Sequence, residues 1–478
     1  VDPQANESSS SSQRSALWVS TSYFAEGFPY MVVNELAVPL FKHLGASVGT
    51  IGLTALFHLP WNLKFLWGHT VDRYETKRRW MIAAEIAITA VMIGFAFIAS
   101  SAHLLGVISA VFTLLAVLSA THDIAVDGFY LEALDEEGQS KLVGLRAMAY
   151  RLAMLSIAGP GLILIGRFGW TASLIAMSAI MAALVLAHTV LLPRTEKRRE
   201  PLSLGRLAII VGLLAAAGVA AYRFLAKATW VSFDDVLPWL GRINIVLLIA
   251  LFVIVAFPRA IQRRLARSDS HFGRAIQSFV AQPRISAILA FILLFRVGES
   301  LLIKMKLPFL MDEVGLTLES YGVANGTVGL VASISGTMAG GWLISKHGLR
   351  RWIWPFVLGQ NILNLLYVGL SYAAGAGIGL GAATVVIAFE RVGEGLGTAV
   401  FMVYLMRCCS PKHKAAHMAI ATALMSVGYT LAGAYSGYIV EATSFRTFFL
   451  LSFAATIPAM LIMPFLPHLD GREGERAA

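Results

Sequence analysis

The sequence predicts an all-α membrane protein. We expect two six-helix bundles with two further spans between them, fourteen in all, and both termini in the cytoplasm. Three observations lead there. Of 478 residues, 57% are hydrophobic and only 14% charged, with a mean hydropathy of +0.71. Fourteen apolar stretches reach the roughly 20 residues that cross a bilayer. Lys and Arg crowd into alternate loops, as cytoplasmic loops do. Charges this sparse cannot cover a water-facing surface, which excludes an ordinary soluble enzyme.

The expected spans are 16–41, 47–71, 79–100, 103–132, 141–166, 169–192, 204–226, 239–257, 285–310, 319–345, 351–373, 376–407, 413–440 and 444–466. Residues 1–15 are polar, with a serine run from Ser8 to Ser12, and read as a disordered tail rather than a secretory signal. Residues 16–193 make the N-terminal bundle and 194–284 a linker with two extra spans and a basic cytoplasmic segment. Residues 285–467 make the C-terminal bundle, and 468–478 a tail. Alternating polarity is absent, so a β-barrel is not expected.

Orientation follows from the basic loops. Arg73, Lys77, Arg78 and Arg79 share one loop, Arg194 to Arg199 the next on that side, and Lys346, Arg350 and Arg351 a later one. The opposite loops hold only Lys42, Arg167, Lys227, Arg242 and Arg446. The net charge of +10 therefore reflects topology and points to no nucleic-acid partner. The stretch Arg259 to Gln282 mixes arginine with Ile, Leu and Phe. It reads as an amphipathic helix on an anionic membrane surface or as a solvated linker.

The two cysteines, Cys408 and Cys409, are adjacent and form no disulfide framework. No zinc spacing, Walker loop, HExxH pair or GxSxG elbow occurs, so we expect no metal, no cofactor and no enzyme activity. Gly375, Gly377, Gly379 and Gly381 open a span, where close helix packing explains them.

Ionisable groups inside the spans carry the functional signal. A charge at a helix centre costs roughly 2.5–3.5 kcal/mol on translocon scales. This chain places Glu26, Glu35, Lys64, Asp123, Asp127, Glu132, Arg146, Arg151, Arg296, Glu299, Lys304, Lys306, Glu390, Arg391 and Glu394 within spans. A water-filled central cavity would hold them. Asp123 and Asp127 are four apart and share a helix face, as proton carriers can. Asp127 and Glu132 lie near the cytoplasmic end, where pairing with Arg146 or the 77–79 cluster would make a conformational latch. Arg151 and Lys64 suit an anionic or polar substrate, or else a buried pair with Asp123 or Asp127. Arg296 and Glu299 lie three apart, as do Arg391 and Glu394, while Glu390 and Glu394 share a face. Gly27-Phe28-Pro29 and Ala158-Gly159-Pro160-Gly161 interrupt the first and fifth spans, as gating kinks or packing devices. Trp61, Trp67 and Tyr150 are candidates for stacking on sugar or aromatic rings, or for interface positions.

One loop recurs in both halves. Gly68-His-Thr-Val-Asp72-Arg73, then Lys77-Arg78-Arg79, closes the second span; Gly341-Trp-Leu-Ile-Ser345-Lys346, then Arg350-Arg351, closes its counterpart. This pattern resembles the loop between helices two and three of the major facilitator superfamily, with Ser345 in place of the usual Asp. Leu63 to Trp67 with Val71 to Tyr74, Asp123 to Gly128, Tyr150 to Leu155, Phe389-Glu390 with Gly395 to Ala399, and Gly437 to Glu441 resemble the AmpG muropeptide permease and acetyl-CoA transporter family. The resemblance runs from about Tyr23 to Leu466. Siderophore importers share the fold and some of these motifs.

The resemblance implies two pseudo-symmetric bundles and proton-coupled import of a bulky polar solute across a bacterial inner membrane by a monomer. The solute it implies is an anhydro-muropeptide, a sugar-peptide fragment of the cell wall. On this reading Lys64, Arg151, Arg296, Glu390, Glu26 and Tyr150 contact substrate, and Asp123, Asp127, Glu299 and Glu394 carry protons. Gly68, Asp72, Arg73, Arg78, Glu132, Arg146, Lys346 and Arg350 form the gating latch. The partners are a small-molecule solute, protons and the lipid bilayer. Glu26 and Glu394 depart from the family pattern and leave room for a more cationic solute. A siderophore or CoA ester are the nearer alternatives. A non-transporting receptor or scaffold is the farther one, and would neutralise its interior charges in fixed pairs.

Overall fold

A computed structural model of the chain describes residues 3–194, 200–201, 271–374 and 379–470. The described residues are helical almost throughout. In the first half α1 is Pro3–His43, α2 Val48–Leu53, α3 Leu59–Leu63, α4 Phe65–Arg73, α5 Lys77–Ile98, α6 Leu105–Ala133, α7 Glu136–Ser156 and α8 Leu162–Leu191. In the second, α9 is His271–Val280, α10 Ile285–Leu294, α11 Val297–Asp312, α12 Leu318–Tyr321, α13 Leu330–His347 and α14 Leu349–Leu363. There follow α15 Leu366–Ala373, α16 Leu380–Cys408, α17 Lys414–Ala442, α18 Phe445–Ala454 and α19 Ile457–Ile462.

Twelve of the fourteen expected spans fall on these helices, and the other two, 204–226 and 239–257, lie outside the described residues. Eight stretches among the described residues are long and apolar enough to cross a membrane. One of them, Glu137–Leu191, covers two expected spans. Gly169 divides it at a φ of +78°, a backbone state that glycine adopts without a steric cost. Besides α9, the helices outside that set are α1, the run α2–α4 and α16, which carry Glu26, Lys64 and the Glu390–Glu394 group. Large apolar side chains such as Phe97, Leu186, Val190, Met338 and Leu461 stay exposed on the helices, as a lipid-facing surface requires.

Three local readings change. The helix of α1 begins at Pro3, so it includes the serine run expected in a tail. It also continues through Pro29 and Pro39, so Gly27-Phe28-Pro29 does not break it. The fifth span does change character at its proline: Ile157–Gly161 widens into a π turn around Pro160, which has no N–H to donate.

Two compact units emerge: residues 1–47, 57–230 and 317–327, and residues 48–56, 231–316 and 328–478. Two short segments thus group with the opposite half from the one expected. Close backbone approach explains both. In the second unit, a Cβ on Gly437 would lie 1.9 Å from the Val48 carbonyl oxygen. In the first, a Cβ on Gly326 would lie 1.6 Å from the Ala158 oxygen. The first unit has an aromatic core of Trp18, Tyr23, Phe129 and Tyr130. It also buries a polar knot, in which Glu85 Oε1 lies 2.9 Å from His122 Nε2 and 2.7 Å from His188 Nδ1, tying α5, α6 and α8. The second unit's core is built on Phe291, Phe295, Phe401 and Tyr404, with Phe295 and Phe401 stacked at 4.5 Å.

The basic segment is described only from 271. There α9 turns Ala275 and Phe279 onto α17, with Phe279 5.1 Å from the His417 ring and His417 Nε2 3.0 Å from the Ala275 oxygen. Between 271 and 280, protein covers this part of the helix's apolar face, while Arg274 stays exposed.

Candidate functional site: two buried charge clusters

Each unit gathers charges from several helices. In the first unit Lys64 sits at the break between α3 and α4, where Pro60 and a 3₁₀ turn interrupt the span. Its ammonium pairs with Asp123 of α6. One helical turn along, Asp127 accepts from the Tyr23 hydroxyl at 2.9 Å and pairs with Arg146 of α7 at 2.9 Å. The Arg146 guanidinium lies over the Tyr23 ring at 4.4 Å. Glu26, one turn along α1 from Tyr23, feels the charges of Asp123 and Asp127. Its Oε2 is buried without a hydrogen-bond partner among the described residues. Three carboxyls therefore share two cations.

The second unit is balanced. Arg296, between α10 and α11, donates to Glu299 at 3.1 Å and to Thr398 Oγ1 at 2.7 Å. Gln360 of α14 donates to the second Glu299 oxygen at 3.1 Å. Lys306, fully buried, donates to Glu390 Oε2 at 2.9 Å, and Tyr367 reaches the same oxygen at 3.4 Å. Arg391 donates to Glu394 at 2.6 Å. Gly397 makes room for this network, because a Cβ there would lie 1.5 Å from Gln360 Oε1. Lys304 is also buried, but runs beside Gly433 of α17 instead.

The structure thus brings together Glu26, Lys64, Asp123, Asp127 and Arg146 in one unit, and Arg296, Glu299, Glu390 and Glu394 in the other. Asp127 has Arg146 as its partner, the latch pairing of the two weighed for it. Arg151 joins neither cluster: it is exposed, with no hydrogen bond or ion pair among the described residues. Tyr150 packs against Tyr30, with ring centroids 6.0 Å apart. Tyr23, Lys306, Gln360, Tyr367 and Thr398 were missing from the expected site set. Gln360 and Asn361, polar residues inside an apolar run, were the available signal.

The repeated loops share a clasp. Lys77 is buried, pairs with Asp72, and passes Gly128, where a Cβ would lie 2.6 Å from Lys77 Cε. Arg73 donates to Glu200 through Nε and Nη2, both at 3.3 Å, and the Glu75 N–H donates to the Glu200 carbonyl at 3.0 Å. The Glu200 carboxylate holds the exposed Arg73 guanidinium above its ordinary pKa. Arg350 pairs in the same way with Asp470 at 2.5 Å. Each clasp joins the loop after a half's second span to an acid beyond its sixth. Arg78 instead donates to the Thr189 carbonyl at 2.8 Å, and Lys346 lies over the Trp342 ring at 4.0 Å. Gly68 faces Ile124 of α6, and Glu132 is half-buried near the end of α6.

Among known families, the model for the Major Facilitator Superfamily matches residues 19–389 and 288–477. The chain belongs to the major facilitator superfamily. It is 25% identical over 446 residues to the anhydromuropeptide permease of Escherichia coli (strain K12), spanning 92% of this chain and 77% of that protein. It is 26% identical over 258 residues to putative transporter AmpG 2 of Rickettsia typhi, 54% of this chain and 60% of that one. Among solved structures, an auto-inhibited POT family peptide transporter superposes with a TM-score of 0.68 at 13% identity, covering 96% of this chain and 98% of that one. The inward-open xylose transporter XylE from E. coli gives 0.58 at 12% identity, with 96% and 97% covered. These structures establish the fold. The family makes this chain a membrane transporter rather than an enzyme, and the relatives it resembles bear the names of AmpG-type permeases.

Proposed function

We propose that the chain imports an anhydro-muropeptide, or a closely similar sugar-peptide, across the bacterial inner membrane in symport with protons. Fourteen spans, cytoplasmic termini and a monomeric state belong to the same reading. One observation carries it: Glu26, an acid inside an expected span, has a buried oxygen with no hydrogen-bond partner among the described residues, beside the Lys64–Asp123 pair. A scaffold gains nothing from an odd acid in its interior, where charge is costly. A proton carrier needs one, because a carboxyl that is not locked to a cation can load and release a proton. The second cluster is neutralised in pairs, and suits a site whose charges open to receive a zwitterionic solute. The named relatives point to the sugar-peptide.

The test is uptake of labelled anhydro-muropeptide into proteoliposomes under an imposed pH gradient. Accumulation with acid outside, abolished by a protonophore, is the expected result. Uptake indifferent to the gradient would refute symport, and no uptake would refute the substrate.

A further inference from the structure

Beside the charged cluster of the first unit lies a group of rings that the charge chemistry does not use. Tyr30 of α1 lies edge-on to Trp61 of α3 at 4.9 Å and to His58 at 5.8 Å. His58 and Trp61 stack at 5.6 Å, and Tyr150 of α7 leans on Tyr30 at 6.0 Å. All four are half-buried. Gly27 admits Tyr150, since a Cβ there would sit 3.1 Å from the Tyr150 ring.

Every ring in this group carries a polar atom and stays half-buried, whereas Trp18, Tyr23 and Tyr130 of the unit's aromatic core are sealed at 1–3% exposure. Some of those atoms are oriented by the fold. The Asn34 amide donates to the Tyr30 carbonyl at 2.9 Å, which aims its oxygen at His58 Nδ1, 3.1 Å away. With that orientation of the amide, His58 Nδ1 is the donor to the Asn34 oxygen. Two other polar atoms are unused. The Trp61 indole N–H and the Tyr150 hydroxyl have no hydrogen-bond partner among the described residues, and neither is sealed off. Buried Trp and Tyr groups ordinarily find partners.

We propose that Tyr30, His58, Trp61 and Tyr150 form a saccharide subsite. A pyranose has an apolar C–H face and a rim of hydroxyls. Aromatic faces ringed by fixed donors and acceptors match both features. The subsite takes a neutral sugar ring, and leaves charged parts of a solute to other residues. The inference rests on the sugar-peptide reading above and specifies where its sugar is held.

Calorimetric titration of the full-length protein in detergent tests it with three probes: the anhydro-muropeptide, its peptide-free disaccharide, and its free peptide. Trp61→Ala is expected to weaken glycopeptide and disaccharide by about tenfold and leave the free peptide unchanged. Trp61→Phe, which keeps a ring and loses the N–H, should fall between. Tyr150→Phe should lose a smaller factor, on the same two ligands only. Unchanged affinity for the glycopeptide in Trp61→Ala would overturn the subsite and leave the substrate reading standing. Equal losses on all three probes would overturn it too. If the unaltered protein bound neither glycopeptide nor disaccharide, the substrate reading and the subsite would fall together.

Discussion

Both halves draw three carboxyls into a charged cluster within their spans, and they neutralise them differently. In the second unit Glu299, Glu390 and Glu394 face Arg296, Lys306 and Arg391, with Gln360, Tyr367 and Thr398 filling further hydrogen-bonding positions. In the first, Glu26, Asp123 and Asp127 face only Lys64 and Arg146. Pseudo-symmetric halves need not share a job. A network balanced in charge resists change, because losing any charged member strands its partner in a medium that cannot solvate it. An open one keeps a place for a mobile proton. The second unit's cluster should therefore answer mutation with instability, the first unit's with lost function.

The sharpest break of that contrast is at Lys306. Lys306→Met strands Glu390 and is expected to cost about 3–5 kcal/mol in thermal or denaturant unfolding, with most of it recovered in Lys306→Met/Glu390→Leu. Next comes Gly397→Ala, whose new methyl must displace Gln360; a loss of about 1–3 kcal/mol is expected. Adding Gln360→Ala should relieve it. In the other unit Arg146→Gln removes a half-exposed pair with Asp127 and should cost only about 1 kcal/mol, read by the same unfolding curves. Glu26→Gln should shift stability least, by under about 1 kcal/mol, because it removes the unmatched charge. Gradient-driven uptake should nevertheless vanish in that variant, while exchange of labelled for unlabelled solute persists. Comparable destabilisation by Glu26→Gln and Lys306→Met would erase the distinction.

Legibility in the sequence divides along physical lines. Span positions and the repeated loop are one-dimensional signals, long apolar runs and clustered bases; helices occupy twelve of the stretches those signals mark, and eight stretches among the described residues are long and apolar enough to cross a membrane. Partners are another matter. Asp123 and Asp127 share a helix face by spacing alone, yet nothing in the spacing assigns Lys64 to one and Arg146 to the other. Those choices depend on how α3, α6 and α7 approach. His122 shows the limit well. It adjoins Asp123 in the chain, but points to Glu85 and His188 in a knot sealed from solvent. The exchange of 48–56 and 317–327 between units was equally invisible, since it follows from backbones meeting at glycines far apart in sequence. Arg151, chosen by family likeness, has no hydrogen bond or ion pair among the described residues.

Gly128 and Lys77 share one space. The lysine's thin stem passes where the glycine leaves a gap of side-chain width. A methyl at 128 would meet only the flexible end of that stem, so the lysine would swing aside and the cost would fall on its pairing with Asp72. Gly397 and Gln360 obey the same rule in the other half, where the amide end would give way and its bond to Glu299 would be lost. At such pairs girth governs charge, because the glycine sets where an ammonium or an amide can stand.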